Sequence, residues 1–288
     1  MSRIMITGAS GAFGHLVVES LRKNHPEHQV VALARDPQAL ADFADSGVDV
    51  RHGDYDNPTS LEHAFEGVGK LLLISARAFT DVKTAHRNVI HAARAAGVRH
   101  IHYTAIQHRS GSDFEIPQVT EWDTYTEKEL TASGLDLTIL RNSQYLDSFD
   151  ALIGELPADG VIRVPAGTAP TALATRRDMA DATAAVLASD GHEGRAYTLA
   201  GSRAFTLDDV TEILSDITGT SVTYQDTPLA DFVAARTAEG MPEPWARFAG
   251  AWFQASATGQ FSPTNDIEQL TGRPSTPLRE FLTQQRAS

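Results

Sequence analysis

Six short apolar runs recur through the first half of the chain, separated by segments with helical spacing, and this alternation limits the fold more than any other feature. The runs are Ile4 to Thr7, Val30 to Ala34, Val48 to Arg51, Leu71 to Ser75, His100 to Thr104 and Leu135 to Leu140. Each has strand length and no internal proline. "AHRNVIHAARAAG" shows the other kind of segment: Val89, Ile90 and Ala93 make one apolar side and Gly97 is a stop signal. In "NPTSLEHAFEG", Asn57 is placed to cap, Pro58 suits the first helical turn and Gly67 ends it. Strands that are apolar throughout are buried on both faces, so the pattern predicts an α/β fold with a parallel sheet between two helical layers.

After Leu140 the rhythm changes. "ALATRRDMADATAAVLAS" reads as a helix entered near Asp178, "RAYTLAG" as a strand, "FTLDDVTEILSDITG" as a helix capped by Thr206 and closed by Gly219, and "SVTYQD" as a further strand. The tail from "MPEPWARFAGAWFQASATG" onward mixes helix with proline-rich loops.

The chain carries a net charge of -13, which repels phosphate-rich surfaces and argues against DNA, RNA or an anionic membrane as partner. It has no cysteine, which excludes disulfides, thiolate chemistry and cysteine-ligated metal centres. "MSRIMITGASGAFG" lacks the long apolar core of a signal peptide, and no run approaches a membrane span, so the reading is a cytoplasmic protein.

The first strand runs straight into Gly8, Gly11 and Gly14, spaced G-x-x-G-x-x-G, and the apparent helix "HLVVESLRK" follows. A glycine loop between the first strand and the first helix is the context of a dinucleotide fingerprint. Gly8 lets the chain turn tightly, Gly11 admits a pyrophosphate to the backbone, and Gly14 lets the helix lie close to the strand. The head of the helix then offers amides and a positive dipole end to the phosphates. The organisation expected is a Rossmann-like doubly wound parallel sheet over 1–142, joined by a returning segment near 160–201. A smaller C-terminal α/β lobe, mainly 143–288, is expected to close over the carboxyl ends of the strands.

The second strand ends in "VVALARDP". An acidic residue there holds the ribose hydroxyls of NAD, whereas an arginine suits the 2′-phosphate of NADP. Arg35 favours NADP over NAD, although Asp36 beside it could serve NAD. Asp54, after the third strand, either approaches the adenine or caps the next helix.

These segments together carry a resemblance. "ITGASGAFG", "VVALARDP", "RHGDYDNPTSLEHAF", "KLLLIS", "HRNVIHAARAAGVRHIHYT", "LRNSQY" and "GHEGRAYTLAG" resemble the NmrA-like branch of atypical short-chain dehydrogenase/reductases, and "MPEPWARFAG" extends the likeness into the C-terminal lobe. The resemblance implies NADPH as cofactor and a flat, electron-poor acceptor such as a quinone or a triphenylmethane dye. By motif position it implies cofactor contacts at Gly8, Ala9, Ser10, Gly11, Ala12 and Phe13, then at Arg35, Ser75 and Ala76. Nicotinamide-side contacts fall on Thr138, Ile139, Leu140, Arg141, Asn142 and Ser143. A homodimer is left open.

The superfamily's Tyr-x-x-x-Lys pair is missing. In "YTEK", Lys128 follows Tyr125 by three and points about 100° away from the direction such a pair needs. Some members of the branch carry a lysine or histidine where Asp123 stands, and a carboxylate does not replace a cationic donor at neutral pH unless it is protonated. A quinone or dye carbocation already accepts hydride at an electron-poor centre, so the protein supplies orientation more than acid–base help. Tyr145, His108 and Asn142 are the catalytic candidates, with Tyr103 and Thr104 as further donors or pocket liners. The two imidazoles of "HIH" at 100 to 102 share a strand face and read as packed histidines; no metal site is expected. The chain is read as an NADPH-dependent reductase of such acceptors. A non-catalytic NAD(P)-binding redox sensor acting through a protein partner is the alternative.

Overall fold

A computed structural model describes residues 3–76, 78–109, 112–154 and 156–287. In chain order its elements are β1 (Arg3–Ile6), α1 (Ala12–Asn24), β2 (Val30–Ala34), α2 (Ala41–Asp45), β3 (Asp49–His52), α3 (Pro58–Ala64), β4 (Val68–Leu73), α4 (Val82–Ala95), β5 (His100–Ile106), α5 (Val119–Ser133) and β6 (Asp136–Asn142). There follow α6 (Leu146–Ile153), β7 (Val161–Val164), α7 (Arg176–Ala188), β8 (Ala196–Leu199), α8 (Leu207–Thr218), β9 (Thr223–Asp226), α9 (Leu229–Ala238), α10 (Glu243–Ala257), α11 (Asp266–Thr271) and α12 (Leu278–Ala287).

The local signals act as the sequence suggests. Asn57 accepts from the Ser60 amide at the head of α3, and Pro58 takes the first helical position. Thr206 and Asp209 form a reciprocal capping box on α8, which ends on left-handed Gly219. Asp36 caps the 3-10 turn Pro37–Leu40 by accepting from the Gln38 amide.

The chain divides into two units. The first comprises 1–106, 119–142 and 176–198 and holds the seven-stranded sheet, ordered β3-β2-β1-β4-β5-β6-β8. Pairings from β3 through β6 are parallel. The order reverses at β1, which pairs with β2 on one side and β4 on the other; in such sheets ligands bind beyond the carboxyl ends of the strands at that reversal. Met5, Leu33, Leu71, Leu73, Ile101 and Tyr103 pack one continuous core with Phe65, Val89 and Leu130. Lys70 stitches the late-arriving α7 to β4: its ammonium donates to the carbonyls of Leu187 and Ser189 and pairs with Asp190 at 2.9 Å. Arg177 on α7 pairs with Glu19 on α1 at 2.5 Å.

The second unit comprises 107–118, 143–175 and 199–288. Residues 107–118, placed with the first domain on sequence, belong here: Gln107 donates to the Ser262 carbonyl and accepts through its own carbonyl from Gln260. The returning part of the first unit is 176–198, shorter than the 160–201 expected. The parallel pair β7 and β9 forms a separate two-stranded sheet here. Phe149, Phe205, Phe232 and Phe253 meet edge to face at 5.5 to 6.2 Å in its core. Arg286 on α12 forks onto the Asp150 carboxylate of α6 at 2.7 and 3.1 Å. Trp245, Phe248 and Trp252 form a ladder along α10, and Trp252 stacks on Phe261. Among the described residues no helix is long and apolar enough to cross a membrane.

Candidate functional site

The glycine loop is built as its spacing requires. Gly8 leaves β1 with φ +60°, a conformation that L side chains rarely adopt. The Gly11 amide closes the turn on the Gly8 carbonyl at 2.9 Å. A Cβ on Gly14 would lie 2.4 Å from the Gly8 oxygen and 2.9 Å from the Ala9 Cα, so α1 rests directly on the loop that precedes it. Ser10, Gly11 and Ala12 are exposed, whereas the Phe13 side chain is buried in the core.

The head of α1 differs from those of α3, α4 and α8. Their caps are side chains, Asn57, Asp81 and Thr206, but no side chain caps α1 and no acidic residue sits in its first turn. An exposed, uncapped helix head with a glycine-only approach fits the pyrophosphate of a dinucleotide. At the end of β2, Arg35 is exposed, and Asp36 already serves the following turn. Asp54 accepts from the Asp56 amide; the cap of α3 is Asn57.

Beyond β4, the turn Ile74–Ala76 is held from behind by side chains. The Thr7 hydroxyl accepts from the Ile74 amide at 3.1 Å, with the Tyr55 hydroxyl 2.5 Å from it and 2.9 Å from the Ile74 carbonyl. Burial raises the Tyr55 phenol above its ordinary pKa. The Thr104 hydroxyl accepts from the Ser75 amide at 3.0 Å, so Thr104, a candidate donor on sequence, supports the turn from a buried position. His86 Nε2 accepts from the Ala76 amide at 2.9 Å, which leaves Nδ1 to donate to Thr126 at 2.8 Å. Burial lowers the His86 pKa to about 4, so the ring is neutral, as an acceptor of an amide must be. Ser75 and Ala76 themselves are half-buried.

The sequence reading missed His86, Thr126, Thr7 and Tyr55. For His86 a signal existed: it stands three residues before Val89 and seven before Ala93, on the inward side of α4.

The stretch 138–143 is less uniform than expected. Asn142 and Ser143 lie at the carboxyl end of β6, both buried. Thr138 stands four residues back, about 13 Å along the strand at 3.3 Å per residue. Its hydroxyl donates to the His192 carbonyl at 2.6 Å and meets His100 Nε2 at 2.8 Å, which removes it from a site at the strand ends. Leu140 is a core residue, and Arg141 pairs with Glu127 at 2.9 Å. His100 and His102 stack at 4.0 Å, both buried, and desolvation holds both rings below the usual imidazole range.

Asn142 belongs to the first unit. Tyr145 and His108, both half-buried, belong to the second, where Tyr145 precedes α6 and bridges to Ala174. Tyr103, the other candidate donor, is fully buried and bound to Asp123.

The chain is similar over its whole length to known proteins. It is 40% identical to quinone oxidoreductase 2 of Escherichia coli strain K12 over 281 residues, 97% of each chain. The crystal structure of an NADPH-dependent quinone oxidoreductase from Escherichia coli, complexed with NADPH, superposes with a TM-score of 0.92 at 39% identity, covering 98% of this chain and 99% of that one. The triphenylmethane reductase of Citrobacter sp., complexed with NADP(H), gives 0.91 at 35% identity with the same coverage. The model of the NmrA-like family matches residues 1–283, and the chain belongs to that family.

Proposed function

We propose that this protein is an NADPH-dependent reductase that delivers hydride to a quinone or another electron-poor aromatic acceptor, such as a triphenylmethane dye. The observation that carries the reading is the glycine loop, where Gly14 rests on Gly8 beneath a helix head that no side chain caps. Similarity to a quinone oxidoreductase and a triphenylmethane reductase through nearly the entire chain supports the acceptor class.

In this reading, the backbone of Gly8 to Phe13 holds the pyrophosphate and Arg35 forks onto the 2′-phosphate. Ser75 and Ala76 meet the nicotinamide half, with Asn142 and Ser143 at the end of β6. The bound dinucleotide supplies the hydride. The protein orients it: Thr104 and His86 fix the two amides that set the position of Ser75 and Ala76. Because the acceptor centre is already electron-poor, no tyrosine–lysine pair is needed to polarise it.

The test is steady-state kinetics with NADPH against a panel of quinones and triphenylmethane dyes, following loss of the reduced nicotinamide signal. Dinucleotide binding without turnover on any acceptor would mark a sensor instead. Arg35→Ala is expected to weaken NADPH binding by about 2 kcal/mol, the scale of a charged hydrogen bond, or about 30-fold. NADH binding should change little; equal losses for both cofactors would refute the 2′-phosphate role of Arg35.

A further inference from the structure

β4 ends at Leu73, and its ladder with β1 closes at the pair Ile6 and Leu72. Ile74 is therefore the first residue past the strand, and its backbone groups need other partners. Side chains provide them. The Ile74 amide donates to the Thr7 hydroxyl oxygen at 3.1 Å, and the Ile74 carbonyl accepts from the Tyr55 hydroxyl at 2.9 Å. The Thr7 hydroxyl donates its own proton to the Leu72 carbonyl at 2.8 Å. Its oxygen is thus an acceptor toward the Tyr55 hydroxyl, 2.5 Å away, and the one phenol proton is shared between Thr7 and Ile74.

This gives Tyr55 a different task from the other side chains around the turn. Thr104 and His86 hold the Ser75 and Ala76 amides from β5 and α4. Tyr55 instead joins the turn to Thr7, the residue that leads directly into Gly8. The two loops touch here, since a Cβ on Gly8 would lie 3.7 Å from the Ile74 Cβ. The tyrosine is itself anchored. Asn88 on α4 donates to the Tyr55 carbonyl at 2.9 Å, and the preceding Asp54 amide donates to Ser60 Oγ at 3.0 Å in the first turn of α3. Its ring packs on the core and meets His86 edge-on, with centroids 6.5 Å apart. All of these residues belong to the first unit.

We propose that Tyr55 is a positioning residue for hydride transfer: its hydroxyl fixes the spacing between the glycine loop and the turn Ile74–Ala76, so that pyrophosphate and nicotinamide are gripped by one rigid frame. The inference rests on the dinucleotide reading above and extends it to how the two halves of the cofactor are held in register. Tyr55 acts through Thr7 and Ile74, whose backbone continues into Gly8 on one side and Ser75 on the other. Without the phenol oxygen, the Ile74 carbonyl and the Thr7 oxygen lose their common donor, and the turn is free to drift against the loop. A displacement of about 1 Å costs a reacting pair about a hundredfold in rate. With Thr104 and His86 still holding the next two amides, the drift and its cost should be smaller.

The experiment compares wild type, Tyr55→Phe, Thr7→Val and the double variant. Each is titrated with NADPH and with 2′-phospho-ADP-ribose, which keeps the pyrophosphate and the 2′-phosphate but lacks the nicotinamide. Wild type should bind NADPH more tightly than the fragment. In Tyr55→Phe that advantage should shrink about tenfold, the scale of one hydrogen bond, while fragment affinity stays within about twofold. Thr7→Val removes the shared acceptor and keeps the side chain's shape, so it should reproduce the loss, and the double variant should lose no more than the worse single one. Quinone and dye turnover should fall together by about tenfold in kcat, with the KM of each acceptor unchanged. In the cofactor-free protein, the Ile74 and Ser75 amides should exchange with solvent about tenfold faster in Tyr55→Phe, while Leu72 inside β4 does not change. Equal losses for NADPH and the fragment would confine Tyr55 to the glycine loop, and a lower melting temperature with the NADPH advantage intact would make it a structural contact. Either result overturns the proposal and leaves the dinucleotide reading standing. Wild-type protein that binds neither ligand would overturn that reading and the proposal together.

Discussion

Replacing Gly14 by alanine is expected to abolish dinucleotide binding and destabilise the fold by about 3 kcal/mol, the upper part of the range for overpacking a tight contact. The new Cβ would meet the Gly8 oxygen at 2.4 Å and the Ala9 Cα at 2.9 Å. Both are backbone atoms of the loop itself, so the clash is relieved only by lifting α1 away or by opening the turn. Either movement displaces the helix head from the pyrophosphate. For a chain of this size the loss corresponds to a fall of roughly 6 °C in the melting temperature. Gly11→Ala provides the contrast: its Cβ would lie 3.3 Å from the Gly8 oxygen on an exposed turn, so the fold should survive while binding suffers. Thermal melts with fluorescence titration of NADPH read both. A Gly14→Ala protein that melts and binds like wild type would remove the basis for placing the cofactor here.

The second large effect is on acid stability. His86 is held at about 4 against an ordinary value of 6.5 by burial. The unfolded chain therefore binds the extra proton first as pH falls, and native stability drains between pH 6.5 and 4 by about 3 kcal/mol in all. His102 acts in the same direction. Asp123 acts in the opposite one. With its folded value raised to about 6 from 3.8, its contribution is fully present below 3.8 and is lost as pH rises through about 6. The two groups thus partly cancel in the wild type. In His86→Gln, whose amide can still accept from Ala76 and donate to Thr126, stability should improve by about 3 kcal/mol relative to wild type on going from pH 7 to pH 4. In Asp123→Asn the acid loss should steepen. Urea unfolding across that pH range measures each difference directly, and parallel curves for wild type and His86→Gln would show that the imidazole is not held neutral.

What could be read from the residues, and what could not, divides along physical lines. The strand runs, the Asn57 and Thr206 caps and the three glycines are local signals, decided by neighbours a few positions away. The caps and glycines stand where expected, and each strand overlaps its run, most with shifted ends, β4 opening at Val68 and closing at Leu73 rather than spanning Leu71 to Ser75. The second layer of the candidate site is decided by residues far apart in sequence. Thr104 reaches Ser75 across 29 positions, and Thr7 reaches Ile74 across 67. No local pattern announces such pairs. Thr138 shows the converse error: it belongs to a familiar motif, but a strand of seven residues carries its first half well away from the end where ligands lie. Residues 107–118 were misplaced for a similar reason, since the partners that hold Gln107 come more than 150 positions later.

The return of α7 has a consequence for how the protein is made. The first unit is interrupted: it leaves at Asn142 and resumes only at Arg176, where α7 supplies Arg177 to Glu19 and the Leu187 carbonyl to Lys70. On the ribosome, the nascent first unit therefore lacks one of its helices until residues 176–188 have emerged. Until then the flank of α1 that α7 covers is left without its packing partner.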